Sequence, residues 1–337
     1  MSESAMSDRA IRQERFAETF RAATEIVSLP PQEPGPGEIR VRNLWCGING
    51  IFDTQMARNA VAYVTLKLPS FTGVEALGVV EAVGPGVSGF AVGDHAVTTR
   101  FPFGYRERST GPATQFVSVP DSRPEWLALA STGVSALVAL DQIAELKPGE
   151  IVAISAAAGG LGHLLVQLAV LRGCRVIGVC GGPEKGAFVA SLGAERVIDY
   201  RREDVAAVLA AEYPGGINVG VDSVSGAIFD GFLANLANHG RLVLCGAASD
   251  MAGQPEIVTG PRIAHALYYK GASVRGFMNG LMQEHWADAR TRLFGLFAQG
   301  LIHVRFDAPC HQGLEGVYDA VERLISGKST GKVIVRL

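Results

Sequence analysis

From residue 151 onward the chain alternates between two textures. Short apolar and β-branched runs stand at Ile151–Ser155, 174–180 (CRVIGVC), 196–199 (RVID), 218–224 (NVGVDSV), 241–247 (RLVLCGA) and 273–277 (SVRGF). Between them lie stretches that suit helices: 161–171, 183–192, 203–212, 227–238 and about 262–270. Repeated strand–helix units predict a parallel, doubly wound sheet with helices on both faces. The turn KPGE, Lys147 to Glu150, marks its beginning. Residues 24–120 differ, being rich in Gly, Pro and Val, with strand-like runs EIRVRNLW (38–45) and GVVEAVG (78–84). GPGVSGFAVGDHAV (84–97) reads as tight turns joining antiparallel strands. This predicts an irregular all-β unit without crossover helices. A helix at 314–326 and a strand at 332–336 return to that style, so the tail is expected to rejoin the first unit and leave the α/β unit inserted.

Between the first strand and the first helix of the α/β part stands AAAGGLG, Ala156 to Gly162. Strand, glycine turn and helix in that order cradle a phosphate, because the turn lets backbone N–H groups approach and the helix N-terminus favours negative charge. Read strictly the motif is A-x-G-x-x-G, with Ala157 in the first glycine's place, and small residues cluster in many turns. The six strand candidates carry the reading, against a flavodoxin-like or other α/β domain without nucleotide. A dinucleotide fold that selects NAD places Asp or Glu after its second strand to hold the ribose 2′-OH. Here Cys180, Gly181 and Gly182 stand there, and Lys185 and Tyr200 follow. An ammonium and a phenol suit a 2′-phosphate, so NADPH is expected rather than NADH. A solvated lysine and a packing tyrosine are the plainer alternatives.

Composition narrows the class. At 337 residues with a formal charge of −3, the chain is long enough for two domains and has no charge excess that would mark a nucleic-acid or membrane-surface partner. No apolar run approaches the ~18 residues of a membrane span, and MSESAMSDRAIRQERF has no apolar signal core. Five cysteines without a spacing pattern suit a reducing compartment. A soluble cytoplasmic protein is the expectation.

The stretches GVEALGVVEAVGPGVSGFAVGDHAV (73–97), STGVSALVAL (131–140), the glycine turn and GKSTGKVIV (327–335) carry a family likeness. Over almost its whole length the chain resembles the medium-chain dehydrogenase/reductase superfamily, and within it the zinc-independent quinone oxidoreductase branch. That likeness continues through SLGAERVIDYRRED (191–204), EYPGGINV (212–219) and DSVSGAIFD (222–230). The resemblance implies an α/β protein with a GroES-like β-rich catalytic domain at 1–129, completed by 280–337. It implies a Rossmann dinucleotide-binding domain, a doubly wound parallel sheet, at 130–279, with a cleft between the two. It further implies NADPH-dependent reduction of a conjugated carbonyl, and a homodimer. Position by position, the cofactor residues implied are Ala158, Gly159, Gly160, Leu161, Gly162, Gly181, Lys185, Tyr200, Ser223, Cys245, Gly246, Phe277, Met278, Asn279 and Ser329. Asn49, in GIN, is expected beside the reacting ring. Two positions depart from the branch. Gly181 stands where a serine touches the 2′-phosphate, and the loop 50–70 is longer, so substrate preference does not carry over.

Zinc-dependent members of the superfamily need thiolate and imidazole ligands. By the same resemblance Asn49 occupies the place of their cysteine and Val74 that of their histidine, and 100–115 contains no cysteine. Cys46 and His95 lack further ligands at metal-site spacing, so no metal is expected. Without a metal, hydride delivered to the β-carbon of an enone yields an enolate, whose charge a few hydrogen bonds carry. NADPH supplies the hydride, and the protein supplies orientation and water exclusion. The expected function is NADPH-dependent reduction of the C=C bond of α,β-unsaturated ketones, small molecules, with Asn49 as hydrogen-bond donor. Tyr63 is the candidate proton donor, with Tyr105 as a second choice in the loops expected to frame the substrate mouth. An asparagine capping local backbone and tyrosines forming apolar walls are the plainer identities. A quinone oxidoreductase is the alternative enzyme, and a crystallin-like NADPH-binding protein without turnover is the alternative of another class. In loop 101–112, Arg106 and Arg108, with Arg100 before it, suit an anionic tail of a fatty-acid or CoA-linked substrate; a solvated loop with Glu107 compensating charge is plainer. His163 is expected to pack, and Leu281, Trp286, Leu293, Leu296 and Phe297 to serve core or dimer packing.

Overall fold

The computed structural model describes residues 8–61, 64–250 and 256–337. The chain divides into two units, Met1–Ser131 with Phe306–Leu337, and Thr132–Arg305.

The second unit is built on a six-stranded sheet whose strands run in the order Arg196–Asp199, Arg175–Cys180, Ile151–Ile154, Ile217–Asp222, Leu236–Leu244, Ser273–Gly276. Every pairing is parallel. The sequence order therefore reverses between Ile151–Ile154 and Ile217–Asp222, the kind of switch point that opens a crevice at the carboxyl ends of the strands. Helices Gly162–Leu171, Pro183–Ser191, Val205–Glu212 and Gly226–Ala234 alternate with the strands. Ile177, Val179, Ile198, Leu209, Phe232 and Leu242 form part of its core and have no exposed surface. One expected helix is cut short. The stretch 227–238 turns to strand at Leu236, because Asn235 caps the helix end with its amide on Gly231 O and Leu236 pairs beside Ile217.

The first unit holds a seven-stranded sheet in which Glu38–Gly47 and Glu75–Val83 are the long central pair. His95–Thr98 and Phe116–Val119 continue it on one side, and Ile334–Arg336 with His311–Gln312 on the other. Arg108–Pro112 also pairs with Glu38–Gly47. A smaller sheet joins Thr24–Leu29, Asp8–Gln13 and Ser70–Phe71. The unit is not all-β as expected. Gly50–Ala57 is a helix inside the stretch read as a loop, opened by Asn49, with Asp53 in its first turn near the positive end of the helix dipole. The tail rejoins this unit as expected from 306 onward. Its helix Gly313–Ile325 buries Leu314, Val317, Ala320 and Val321 in one cluster with Ile11, Phe20 and Ile48.

Two further expectations change. Residues 280–305, expected in the first unit, fall in the second. There helix Trp286–Ala298 buries Leu293, Arg292 pairs with Asp141, and the His303 N–H donates to Gln167 Oε1. Leu281, expected to pack, is 78% exposed. The second concerns membrane length. The helical stretch Glu125–Ile143 is long and apolar enough, by length and composition, to cross a membrane, and 67% of its apolar 18-residue window is buried inside the protein. Its scattered Ser, Thr and Gln residues hid it from a search for uninterrupted apolar runs.

Candidate active site

The parallel sheet gathers most of the expected cofactor residues along one edge. Ser155, Gly181, Tyr200, Ser223, Cys245 and Phe277 each follow within a residue or two of a strand's carboxyl end. The glycine turn is held in a form that has no room for larger residues. A Cβ at Gly162 would stand 2.2 Å from Ala156 O, and Ala156 itself takes a left-handed φ of 45°. Such a conformation costs a non-glycine residue about 1–2 kcal/mol. Among the described residues, no backbone acceptor takes the N–H groups of Gly160 and Leu161, which precede the first turn of helix Gly162–Leu171. Orphan donors at a helix start are what a pyrophosphate needs. His163 has no exposed surface, and its ring braces this turn: Nδ1 lies 2.8 Å from Gly159 O, and Nε2 accepts the Arg305 N–H. Burial pushes its pKa down to about 4, so it is neutral with its hydrogen on Nδ1.

At the switch point, Asp222 is fully buried and ties the two central strands together. Its Oδ1 accepts from Ser155 Oγ at 2.6 Å and from Val224 N at 2.9 Å, and its Oδ2 accepts from Ser225 N at 2.9 Å. Ser223 N donates in turn to Ser155 Oγ, and Cys245 N to Asp222 O. The knot holds Ser225 at φ 74° and ψ −160°, a region that glycine normally occupies. Further along the edge, a Cβ on Gly246 would meet Ser223 O at 3.3 Å. Phe277 N donates to Leu244 O, Met278 is exposed, and Asn279 Oδ1 accepts from Trp286 Nε1. Sequence reading missed Asp222, although DSV with Ser155 is its only trace.

The absent serine at Gly181 also has a physical account. A Cβ there would stand 2.7 Å from Arg201 Nε and 3.0 Å from the Tyr200 ring. The missing side chain makes the space in which Arg201 and Tyr200 lie. The Arg201 guanidinium sits over the Tyr200 ring and makes no ion pair among the described residues. Lys185 is on the helix that begins at Pro183, close enough to Cys180 to act on its thiol. One carboxylate does reach this end, from the third strand rather than the second. Asp199 Oδ1 accepts the N–H groups of Gly182 and Arg201, and these bonds, Gly182 first, hold it below the usual carboxylate range. Its Oδ1 is occupied by the backbone, and the side chains over Gly181 are a cation and a phenol. Arg201, unrecognised in RRED, joins the candidate set.

The remaining expected residues, Asn49 and Ser329, lie in the first unit, where Ser329 is half-buried. Asn49 occupies the N-cap position of helix Gly50–Ala57, yet its side chain makes no cap hydrogen bond. Its amide is taken elsewhere: Nδ2 donates to Glu75 Oε1 at 3.0 Å, and Oδ1 accepts from Lys332 Nζ at 3.3 Å. Lys332 and Glu75 are 4% and 1% exposed, whereas Asn49 is partly exposed. The lysine nitrogen stands 2.9 Å from Glu75 Oε2 and 3.1 Å from Oε1, and it donates to Ile48 O. Ser131 Oγ adds a donor to Glu75 Oε1 at 2.8 Å. Strand register produces this convergence. Ile334 pairs opposite Gly47 in antiparallel fashion, which carries Lys332 alongside Asn49, and Glu75 stands opposite Gly47 on the other side. Gly47 has to be glycine, since a Cβ would fall 2.1 Å from Glu75 Oε2. Sequence reasoning misses Glu75 and Lys332, which lie inside the stretches 73–97 and 327–335 that carry the family likeness.

Tyr105 is not at a substrate mouth. It has no exposed surface, packs edge-on against Phe20, and its hydroxyl donates to Asp53 Oδ2 at 2.5 Å. Burial raises the Asp53 pKa to about 7, with the Tyr105 hydroxyl and the Asn49 backbone contact opposing it. Tyr63 lies outside the described residues. The arginine loop is not simply solvated either. Arg108 pairs with Asp8 and Glu81, and Glu107 pairs with Arg9. Arg106 is 9% exposed, between Phe71 and Phe103, with its pKa lowered to about 10 by burial. A recess of about 530 Å³ beside Arg40, Glu81 and Arg108 contains none of the expected cofactor or proton-donor residues. Among the described residues, no group of three or more His, Cys, Asp and Glu side chains is placed to hold a metal ion.

Comparison with known proteins gives consistent likenesses. Residues 35–123 match the alcohol dehydrogenase GroES-like domain, and residues 160–294 match the family described as zinc-binding dehydrogenase. Prostaglandin reductase-3 of Mus musculus is 37% identical, over 91% of this chain and 83% of its own length. A probable quinone oxidoreductase of Leishmania amazonensis is 31% identical, over 96% of each chain. Among solved structures, Escherichia coli quinone oxidoreductase complexed with NADPH superposes with a TM-score of 0.83 at 27% identity, over 98% of this chain and 100% of the other.

The buried acid makes a prediction about stability. Between the ordinary value of 3.8 and about 7, folded Asp53 keeps its proton while the unfolded chain loses it, so this group destabilises the fold as pH rises through that window. Asp53→Asn keeps an acceptor for Tyr105 and removes the titration. Relative to wild type, the variant is expected to gain at most about 1.4 kcal/mol per pH unit between about pH 4 and 7. Urea unfolding at pH 5 and pH 8 checks this; an unchanged difference between the two proteins refutes it.

Proposed function

This chain belongs to the quinone oxidoreductase branch of the medium-chain dehydrogenase/reductase superfamily, and from that premise we propose that it is an NADPH-dependent reductase of α,β-unsaturated ketones. The observation that carries the reading is Asn49. A partly exposed amide, gripped from beneath by a buried ion pair, stands where zinc-dependent relatives are expected to hold a metal ligand.

The residues present suit the cofactor. The N–H groups of Gly160 and Leu161, which have no backbone acceptor among the described residues, and the helix behind them suit a pyrophosphate. Lys185, Tyr200 and Arg201 suit a 2′-phosphate, with a fixed cationic fork and a hydroxyl donor. Ala158, Gly159, Gly162, Gly181, Ser223, Cys245, Gly246, Phe277, Met278, Asn279 and Ser329 complete the proposed contacts. NADPH, once bound, supplies the hydride, and reduction at the β-carbon leaves negative charge on the substrate's carbonyl oxygen. Asn49 meets that charge with an N–H whose direction the fold sets in advance, and a donor of this kind is worth about 10²–10³ in rate. Tyr63 remains the proposed proton donor to the α-carbon.

The test is NADPH oxidation by purified protein with an enone, an ortho-quinone and no acceptor, and NADH as control. Saturated ketone formed from the enone supports the proposal. Consumption with the quinone alone favours the quinone oxidoreductase reading, to which the Leishmania relative lends support. Tight NADPH binding without turnover favours a binding protein. In the same assay, replacing Lys185 and Arg201 together by Ala is expected to raise the KM for NADPH at least tenfold and leave that for NADH nearly unchanged; equal effects on both would remove these residues from the 2′-phosphate.

The proposal includes a cytoplasmic homodimer. Five free cysteines suit a reducing compartment. The strand Ser273–Gly276 ends the parallel sheet, and Tyr268 and Tyr269, 80% and 74% exposed, come just before it, with Ile257 and Val258 exposed nearby in sequence. A strand that ends the sheet among the described residues, with exposed apolar residues shortly before it in sequence, suits a second copy of the chain. Sedimentation is expected to give a dimer for wild type and a larger monomer fraction for Tyr268→Ser/Tyr269→Ser; a wild-type monomer at micromolar concentration ends this part of the proposal.

A further inference from the structure

We propose that Lys332 and Glu75 are positioning residues for the Asn49 amide, fixing which way it faces and directing one of its two N–H groups outward. The inference rests on the reading of Asn49 as the hydrogen-bond donor.

A primary amide can be turned by 180° with little change in shape, so its orientation is decided by what faces its two ends. Here the oxygen faces an ammonium and the nitrogen faces a carboxylate. Turned over, the amide would put its oxygen against Glu75 and its hydrogens against Lys332, two repulsions in a place where charges are poorly screened. In the observed orientation one Nδ2 hydrogen is spent on Glu75, and the other has no partner among the described residues. Amide planarity points that second hydrogen away from Glu75. Asn49 is the partly exposed member of a group whose two charged members are buried.

The ion pair is more than a fastening for the tail strand. The Ile48 N–H to Val333 O bond and the pairing of Ile334 with Gly47 already hold that strand. Apolar residues would fasten it as well, since a buried ion pair exchanged for well-packed neutral side chains is often neutral or stabilising. Lys332 is not placed to bind an anion itself. An ammonium has three hydrogens, and Ile48 O, Asn49 Oδ1 and the Glu75 carboxylate account for three acceptors. What the pair adds to strand pairing is contact with both ends of one amide.

The experiment is a mutant cycle on the purified full chain, followed by NADPH oxidation with 4-phenyl-3-buten-2-one or an ortho-quinone, whichever is turned over. Asn49→Ala is expected to lower kcat about 10²-fold. Lys332→Met/Glu75→Gln removes both charges together and is expected to lower kcat at least about tenfold with the KM for NADPH unchanged. The triple variant should be no slower than Asn49→Ala alone, as residues acting through one another are not additive. Undiminished kcat in the double variant, or losses that multiply in the triple, overturn the proposal while leaving Asn49 in place. Undiminished kcat in Asn49→Ala overturns the reading of Asn49, and this inference with it. A second measurement needs neither turnover nor a folded double variant. In the ¹⁵N spectrum of the wild-type protein, the Asn49 side-chain hydrogens, assigned by their loss in Asn49→Ala, should exchange with water at rates at least about tenfold apart, the one bonded to Glu75 being slower. Two equally fast hydrogens refute the pinning.

Discussion

An ammonium that water hardly reaches has to find its acceptors within the protein, and Lys332 finds three of them on two separate pieces of chain. The carbonyl of Ile48 and the amide of Asn49 belong to the link between the strand Glu38–Gly47 and the helix Gly50–Ala57, and the carboxylate of Glu75 stands at the start of a second strand. Removing one partner of such a pair costs about 3–5 kcal/mol, since the other charge is left buried and alone. The constraint therefore propagates. Gly47 has no side chain because Glu75 Oε2 needs the space, and Ser131 adds its hydroxyl to the same carboxylate. Asn49 gives up the capping role its position suggests, because both ends of its amide are already committed.

The second unit fixes its edge by different means. There the backbone is the instrument, and side chains serve mainly to hold it in shapes it would not choose. Ala156 and Ser225 both sit at positive φ without being glycine. Asp222 secures the second by accepting its N–H, and the close packing of Gly162 against Ala156 defines the first. Strain of this sort persists only where the surroundings determine the conformation several times over. Both strained residues stand at the switch point of the parallel sheet, where a ligand's phosphates would have to be met by backbone rather than by long side chains. His163, neutral and buried, adds rigidity to the same turn without bringing a charge to it.

Much of this was legible in the sequence, and the parts that were not share a cause. Short β-branched runs separated by helical stretches located all six strands of the parallel sheet, and the spacing of Gly159 and Gly162 located its turn, because these depend on neighbours along the chain. The same reading placed Lys185 shortly after the second strand and Tyr200 at the end of the third. It overlooked Arg201 because a charged residue in RRED looks like any solvated arginine until the bare Gly181 is seen beside it. It made Tyr105 a candidate proton donor because burial cannot be read from one residue, and the tyrosine instead closes a hydrogen bond on Asp53. It gave 280–305 to the wrong unit because a helix with one apolar stripe does not say what covers that stripe.

The sequence by itself determined the order of elements, the parallel sheet and its glycine turn, and the absence of an acid directly after the second strand. All of these follow from periodicity and from backbone freedom at particular residues. Only the tertiary structure decided which charges are buried and what they face. Glu75 and Lys332 are separated by most of the chain, and nothing local marks either as an inward-pointing charge. They meet on Asn49 because two antiparallel registers, Gly47 with Glu75 and Gly47 with Ile334, bring three distant segments to one amide. The energy of such a cluster depends on distance in space and on exclusion of water, and neither quantity exists until the strands have paired.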